Sequence, residues 1–146
     1  MPEEIMPGNS EASAPSLVTL LICDQVIDDR LTGKKSAIGL FNRVNVPKVP
    51  AQIPLVTVMA TLTEIRERCP LELRLLRDAD NAVLIGSRGF VDAPDPLAMV
   101  DLVFALQGVR VPSEGQYAFE LLAEGELLGR RRFHVMTPAS ESSRST

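Results

Sequence analysis

A chain of 146 residues with 45% hydrophobic side chains, one Tyr, five Phe and no Trp suits one domain with an aliphatic core, because a chain of this size buries about two-thirds of its unfolded surface. Its net charge of −4 gives no general attraction for phosphate backbones or anionic lipid and argues against nucleic acid and membrane as partners. Cys23 and Cys69 are too far apart for a CxxC pair and too few for a disulfide framework, so both are read as buried reduced thiols.

The first residues, "MPEEIMPGNSEASAPS", lack the positive start of a secretory signal. The apolar stretch "LVTLLIC" runs into "DQVIDD" rather than a small-residue cleavage site, and no run approaches the ~20 apolar residues of a membrane span. These features imply a cytoplasmic protein. Residues 1–16 and the Ser/Thr-rich 137–146 have too little apolar surface to offset the entropy of ordering, which predicts mobile tails around a domain at 17–136.

Along the domain, short apolar runs alternate with turn residues, the pattern of an all-β chain. The first run, 17–27, is followed by the polar turn "DDRLTGKK", and the second, 36–46, ends at the proline-rich connector "PKVPAQIP". Proline cannot donate to a ladder, so this connector is expected to cross between sheets or follow an edge. The third run, 55–65, places Val56, Val58, Ala60 and Leu62 on one face, with Leu55 and Met59 on the other.

"PLELRLLR" sets Leu71, Leu73 and Leu75 inward with Leu76 opposite, and "NAVLIGSRGF" follows the turn "DADN". The stretch 97–109 suits a helix by composition, but as a strand it turns Val100, Leu102, Phe104 and Leu106 to one side, and the strand reading is preferred. The last two runs read as a hairpin near Gly125 with Tyr117, Phe119 and Leu121 facing the same way as Phe133 and Val135. Coincidence of those faces needs an odd residue count, met by a three- to five-residue loop. Seven or eight strands predict an antiparallel two-sheet sandwich of Ig-like, Greek-key type, although a closed barrel is also compatible with the pattern.

Tyr117 stands just after the turn "PSEG", in phase with Phe119 and Leu121. A ring over the end of the core with a hydroxyl on nearby backbone is the tyrosine-corner arrangement of such sandwiches, and it assigns Tyr117 and Gly115 a structural role. "VTLLICDQV", "GLFNRVNVPKVPAQIPLVTVMATL" and "VRVPSEGQYAFELLAEGELLGRRRFHV" together resemble a bacterial family of small single-domain β-sandwich proteins of unknown function. The resemblance covers residues 17–136. It implies a strand leading to a proline-rich crossover and a Pro-x-x-Gly-x-Tyr-x-Phe strand before the last one, and it implies no catalytic residue.

Chemistry-bearing groups are scarce. Ser or Cys catalysis needs a positioned base, and His134, the one histidine, falls on the outward face with Arg130 and Arg132. That trio is a basic contact face. Nucleic-acid binding is not expected of it, because Arg131 turns the other way and Glu120 or Glu124 can neutralise the arginines. One His and two distant Cys exclude a zinc site.

Calcium is the better metal to weigh, through Asp24, Asp28 and Asp29, Asp78, Asp80 and Asn81, or Asp92 and Asp95. No EF-hand pattern is present, and Asx turns account for these residues. The "RLTGKK" turn with Arg30, Lys34 and Lys35 lacks P-loop glycine spacing. Phe41 and Phe90 are the aromatics left for a ligand platform. The sequence thus predicts a non-enzymatic module with no cofactor, acting through a protein partner or self-association as a homo-oligomer or adaptor. The alternative is a small-ligand or calcium-binding sandwich using its end loops.

Overall fold

Nine strands follow one another: β1 (Ser16–Asp28), β2 (Lys35–Leu40), β3 (Arg43–Asn45), β4 (Ala51–Thr63), β5 (Cys69–Arg77), β6 (Ala82–Val91), β7 (Val100–Val111), β8 (Gly115–Ala123) and β9 (Glu126–Met136). They form a four-stranded sheet in the order β2-β1-β4-β7 and a five-stranded sheet in the order β3-β9-β8-β5-β6. This computed structural model describes residues 14–139. Of the predicted tails at 1–16 and 137–146, residues 1–13 and 140–146 lie outside the described residues, whereas Ser16 is already strand and Thr137 is buried.

Alternation builds the core as the sequence predicts. Val56, Val58, Ala60 and Leu62 of β4 are fully buried, as are Leu75, Tyr117, Phe119 and Leu121 of the facing sheet. Full burial of each large aliphatic side chain contributes about 1.5–3 kcal/mol. The stretch containing residues 97–109 is a strand from Val100 onward, with Leu102, Phe104 and Leu106 packed against the core but only partly buried. Among the described residues no helix is long and apolar enough to cross a membrane.

The structure corrects the predicted layout in four places. Residues 36–46 are two strands, because the chain leaves the four-stranded sheet at Phe41–Asn42 and joins the other as β3. That makes nine strands rather than seven or eight. β3 runs parallel to β9, the exception to an otherwise antiparallel pairing. The β8–β9 turn has two residues, Glu124 and Gly125, both at positive φ, the geometry that matches strand twist. The odd count comes instead from a bulge between Leu121 and Leu122.

The "PKVPAQIP" connector crosses between sheets, and its second half belongs to β4. Two further details set up the surface. Beyond Cys23, β1 separates from β4, and the outward Thr57 hydroxyl donates to the Asp24 carbonyl at 3.0 Å. Between the sheets, β1 lies on β9, where Leu17 occupies the space that a Cβ on Gly129 would need.

Candidate functional site

The turn Pro112–Glu114 between β7 and β8 places Tyr117 at the end of the core. Its hydroxyl donates to the Ser113 carbonyl at 2.6 Å and accepts the Ser113 N–H at 3.1 Å. The ring stacks on Phe133 at 5.6 Å between centroids and is fully buried. Gly115, at φ 125°, starts β8 in a conformation closed to other residues. The corner therefore presents no reactive atom.

On the outward face of the five-stranded sheet, register sets charges side by side. Glu120 lies opposite Arg130 on one side and Arg74 on the other. The Arg130 Nε donates to Glu120 at 2.9 Å, and its Nη2 donates to the same oxygen. Arg74 and Arg88 flank Glu72 at 3.2 and 3.8 Å, and the Arg74 hydrogen bond holds the Glu72 carboxyl below its usual range. Arg132 stands 3.8 Å from Asp78. His134 shares a shallow depression of about 440 Å³ with Asn42, Arg43 and Gln116. Arg130, Arg132 and His134 do share a face, and carboxylates are interleaved with the two arginines.

Both thiols are buried. Burial pushes Cys23 up, reinforced by Asp24, and burial followed by Glu124 does the same for Cys69. A nucleophilic cysteine needs the opposite shift. Among the described residues no three His, Cys, Asp or Glu side chains are grouped to hold a metal. The loop carboxylates bind their own backbone instead: Asp29 accepts from Leu31 N–H at 2.9 Å, Asp80 from Ala82 at 3.2 Å and Asp95 from Leu97 at 2.8 Å.

Two surfaces were only partly signalled by residue type. The first is a groove of about 510 Å³ lined by Pro70, Leu71, Phe90 and Leu122, with Glu72, Arg88 and Glu124 at its rim. Phe90 is exposed with the Arg68 guanidinium 4.3 Å from its ring centre, whereas Phe41 packs edge-on to Phe133 inside. Pairing of Pro70 with Phe90 and of Glu72 with Leu122 assembles this groove from three strands. The second is the outward side of the four-stranded sheet, where Ile38, Leu40, Leu55 and Val103 are 38–58% exposed. Strand alternation alone signalled part of it, in Leu55 and Met59.

Comparison with solved structures finds similar chains of different size. The chain is similar to the alkylpurine DNA glycosylase AlkC of Pseudomonas fluorescens, with a TM-score of 0.50 and 11% identity over 84% of this chain and 30% of that one. A β-glucosidase from Listeria innocua matches at a TM-score of 0.44 and 9% identity, over 84% of this chain and 16% of that chain. An immunoglobulin-like protein from Pseudomonas aeruginosa matches at 0.44 and 15% identity, over 85% of this chain and 98% of that one. The chain thus spans under a third of the glycosylase and under a fifth of the glucosidase, and at these identities the likeness is one of fold. A search among curated proteins finds no match. Residues 18–136, nearly the whole sandwich, match the profile of a family of unknown function, DUF6941, and the chain belongs to that family.

Proposed function

We propose that this chain is a non-enzymatic β-sandwich that works by contact with other proteins, as an adaptor or within an oligomer. The observation that carries the reading is the outward side of the four-stranded sheet, where Ile38, Leu40, Leu55 and Val103 stand exposed on strands paired in one sheet. Exposed apolar side chains on one sheet are the kind of feature from which interaction surfaces are built. The fate of the reactive groups supports it too. Tyr117 is held in a corner, the thiols are buried with raised pKa values, and the arginines of the basic face stand beside carboxylates. Two buried thiols also suit a reducing compartment, and we assign the protein to the cytoplasm.

The test is native mass spectrometry of the protein drawn from its own cells. A stoichiometric protein complex, weakened by Leu40→Asp or Val103→Asp, is the expected result. A bare monomer under the same conditions overturns the reading. The groove beside Phe90 favours a second reading, a small apolar ligand held there with Arg88 or Glu124 fixing its polar end. A monomer carrying a small adduct that Phe90→Ala releases is the result that selects it.

A further inference from the structure

One crevice joins the last strand of each sheet. Its volume is about 380 Å³, and among the described residues it is lined by Leu84 and Ile85 of β6, Gly108 and Arg110 of β7, and Pro112 of the turn that follows. β6 and β7 are edge strands of their sheets. None of these residues belongs to the groove beside Phe90.

Irregular pairing shapes both walls. In β6 the ladder passes from Ile85 opposite Leu75 to Val83 opposite Leu76, which makes Leu84 an extra residue. A bulge re-aims side chains, and here Leu84 and Ile85, neighbours in sequence, both pack against the core while staying partly exposed. In β7 the covered positions run Leu102, Phe104, Leu106 and then Val109 and Val111, so the alternation slips by one residue across Gly108 at φ 62°. Gly108 adds no side chain to the crevice, and its carbonyl accepts from the Gln52 amide at 3.4 Å. Pro112 is fixed from behind, because the Tyr117 hydroxyl holds both backbone groups of the adjoining Ser113.

Charge then selects the occupant. Leu84, Ile85 and Pro112 offer apolar side chains, and Arg110 is the charged residue of the lining, exposed and with no ion pair among the described residues. Arg74, Arg88, Arg130 and Arg132, by contrast, each stand beside a carboxylate. Apolar walls with a single convergent charge are the usual make-up of a small-ligand site, and this volume lies near the lower end of the range for such sites. A guanidinium fork matches a carboxylate in shape as well as in charge.

We propose that this crevice binds a small aliphatic monocarboxylate, with its chain along Leu84, Ile85 and Pro112 and its carboxylate on Arg110. An amine would find no acid in the lining, and a second charge on the ligand would lie against apolar walls at a desolvation cost. The acid is held by differential chemistry at its two ends: burial of the chain supplies affinity, and the ion pair supplies orientation.

The probe is octanoate, titrated into the isotope-labelled full chain and followed by amide NMR, with octanol and octylamine as comparisons. The expected result is saturable binding at a Kd of about 0.1–1 mM, with shifts centred on residues 84–86 and 108–111 and with contacts from the octanoate methyl to the Leu84 and Ile85 methyls in nuclear Overhauser spectra. Arg110→Gln changes an exposed side chain outside the core; it should weaken octanoate by about tenfold or more and leave octanol binding unchanged, while Arg110→Glu turns the preference toward octylamine. Absence of saturable shifts up to about 10 mM, or octanoate affinity indifferent to Arg110→Gln, overturns the proposal. Shifts centred instead on Pro70, Phe90 and Leu122 overturn it too and assign the acid to the groove beside Phe90. None of these outcomes touches the protein-contact reading, which is tested at Leu40 and Val103 on the outward side of the four-stranded sheet.

Discussion

Replacing Tyr117 by Phe removes one oxygen and leaves its stack on Phe133 in place. That oxygen serves both backbone polar groups of Ser113, accepting from its N–H at 3.1 Å and donating to its carbonyl at 2.6 Å. A net hydrogen bond contributes about 1 kcal/mol, and a group left unsatisfied costs more. Ser113 is half-buried, so water can re-satisfy part of what is lost. The expected loss is about 1–2 kcal/mol, which in a domain of this size lowers Tm by roughly 3–8 °C.

Urea unfolding followed by circular dichroism gives the number, with the m-value unchanged because the same surface is exposed. Tyr117→Ala should cost about 3–5 kcal/mol, since the stack on Phe133 goes as well. A Tyr117→Phe loss below about 0.3 kcal/mol would refute the corner argument, since a net hydrogen bond removed from it is expected to cost more. Wild-type stability combined with loss of a bound partner would refute it more directly, by making Tyr117 a contact residue.

Gly125→Ala should cost about 1 kcal/mol in thermal melts, because its φ of 81° suits glycine in the two-residue turn; Gly89→Ala, with open space at its Cβ, should be near neutral. Glu120→Gln should lower stability by about 1–2 kcal/mol, the scale of a hydrogen bond to a charged group, and an unchanged midpoint in urea would show that Arg130 simply returns to water. Both thiols have raised folded-state pKa values, so above an unfolded value of about 8.5 the unfolded chain binds fewer protons than the native one. Stability should therefore fall as pH rises past that value and keep falling until the folded thiols ionise; urea midpoints that stay flat from pH 8 to 10 in the wild type, or an equal drop in a Cys23→Ser, Cys69→Ser double variant, would count against it. Millimolar calcium should leave Tm unshifted, because the loop carboxylates cap their own turns; a concentration-dependent rise in Tm would point to a cation site.

Much of the sandwich was legible wherever burial alternates along one strand. The β4 face could be read because Val56, Val58, Ala60 and Leu62 repeat at the strand period, and the phase of Tyr117 with Phe119 and Phe133 followed from the same rule. The split between β2 and β3 was hidden, since Leu40, Phe41 and Val44 keep the apolar content steady while the chain changes sheets. The β8–β9 loop length was misread because a bulge and an odd loop alter parity in the same way.

The surfaces were harder to see for a different reason. Phe90 and Leu122 are far apart in sequence and meet only through the register of β5 with both its neighbours.

The order of charge across the five-stranded sheet, Arg130, Glu120, Arg74, Glu72, Arg88, alternates in sign from one neighbour to the next. Such a chequered array of three arginines and two carboxylates leaves a net charge of only +1. Its potential is weak and is screened within about 8 Å at physiological salt. A protein approaching this side meets almost no guiding field and associates at the unsteered rate of about 10⁵–10⁶ M⁻¹s⁻¹, with little response to added salt. Encounters with this sheet are then decided at contact range, by fit rather than by attraction from afar.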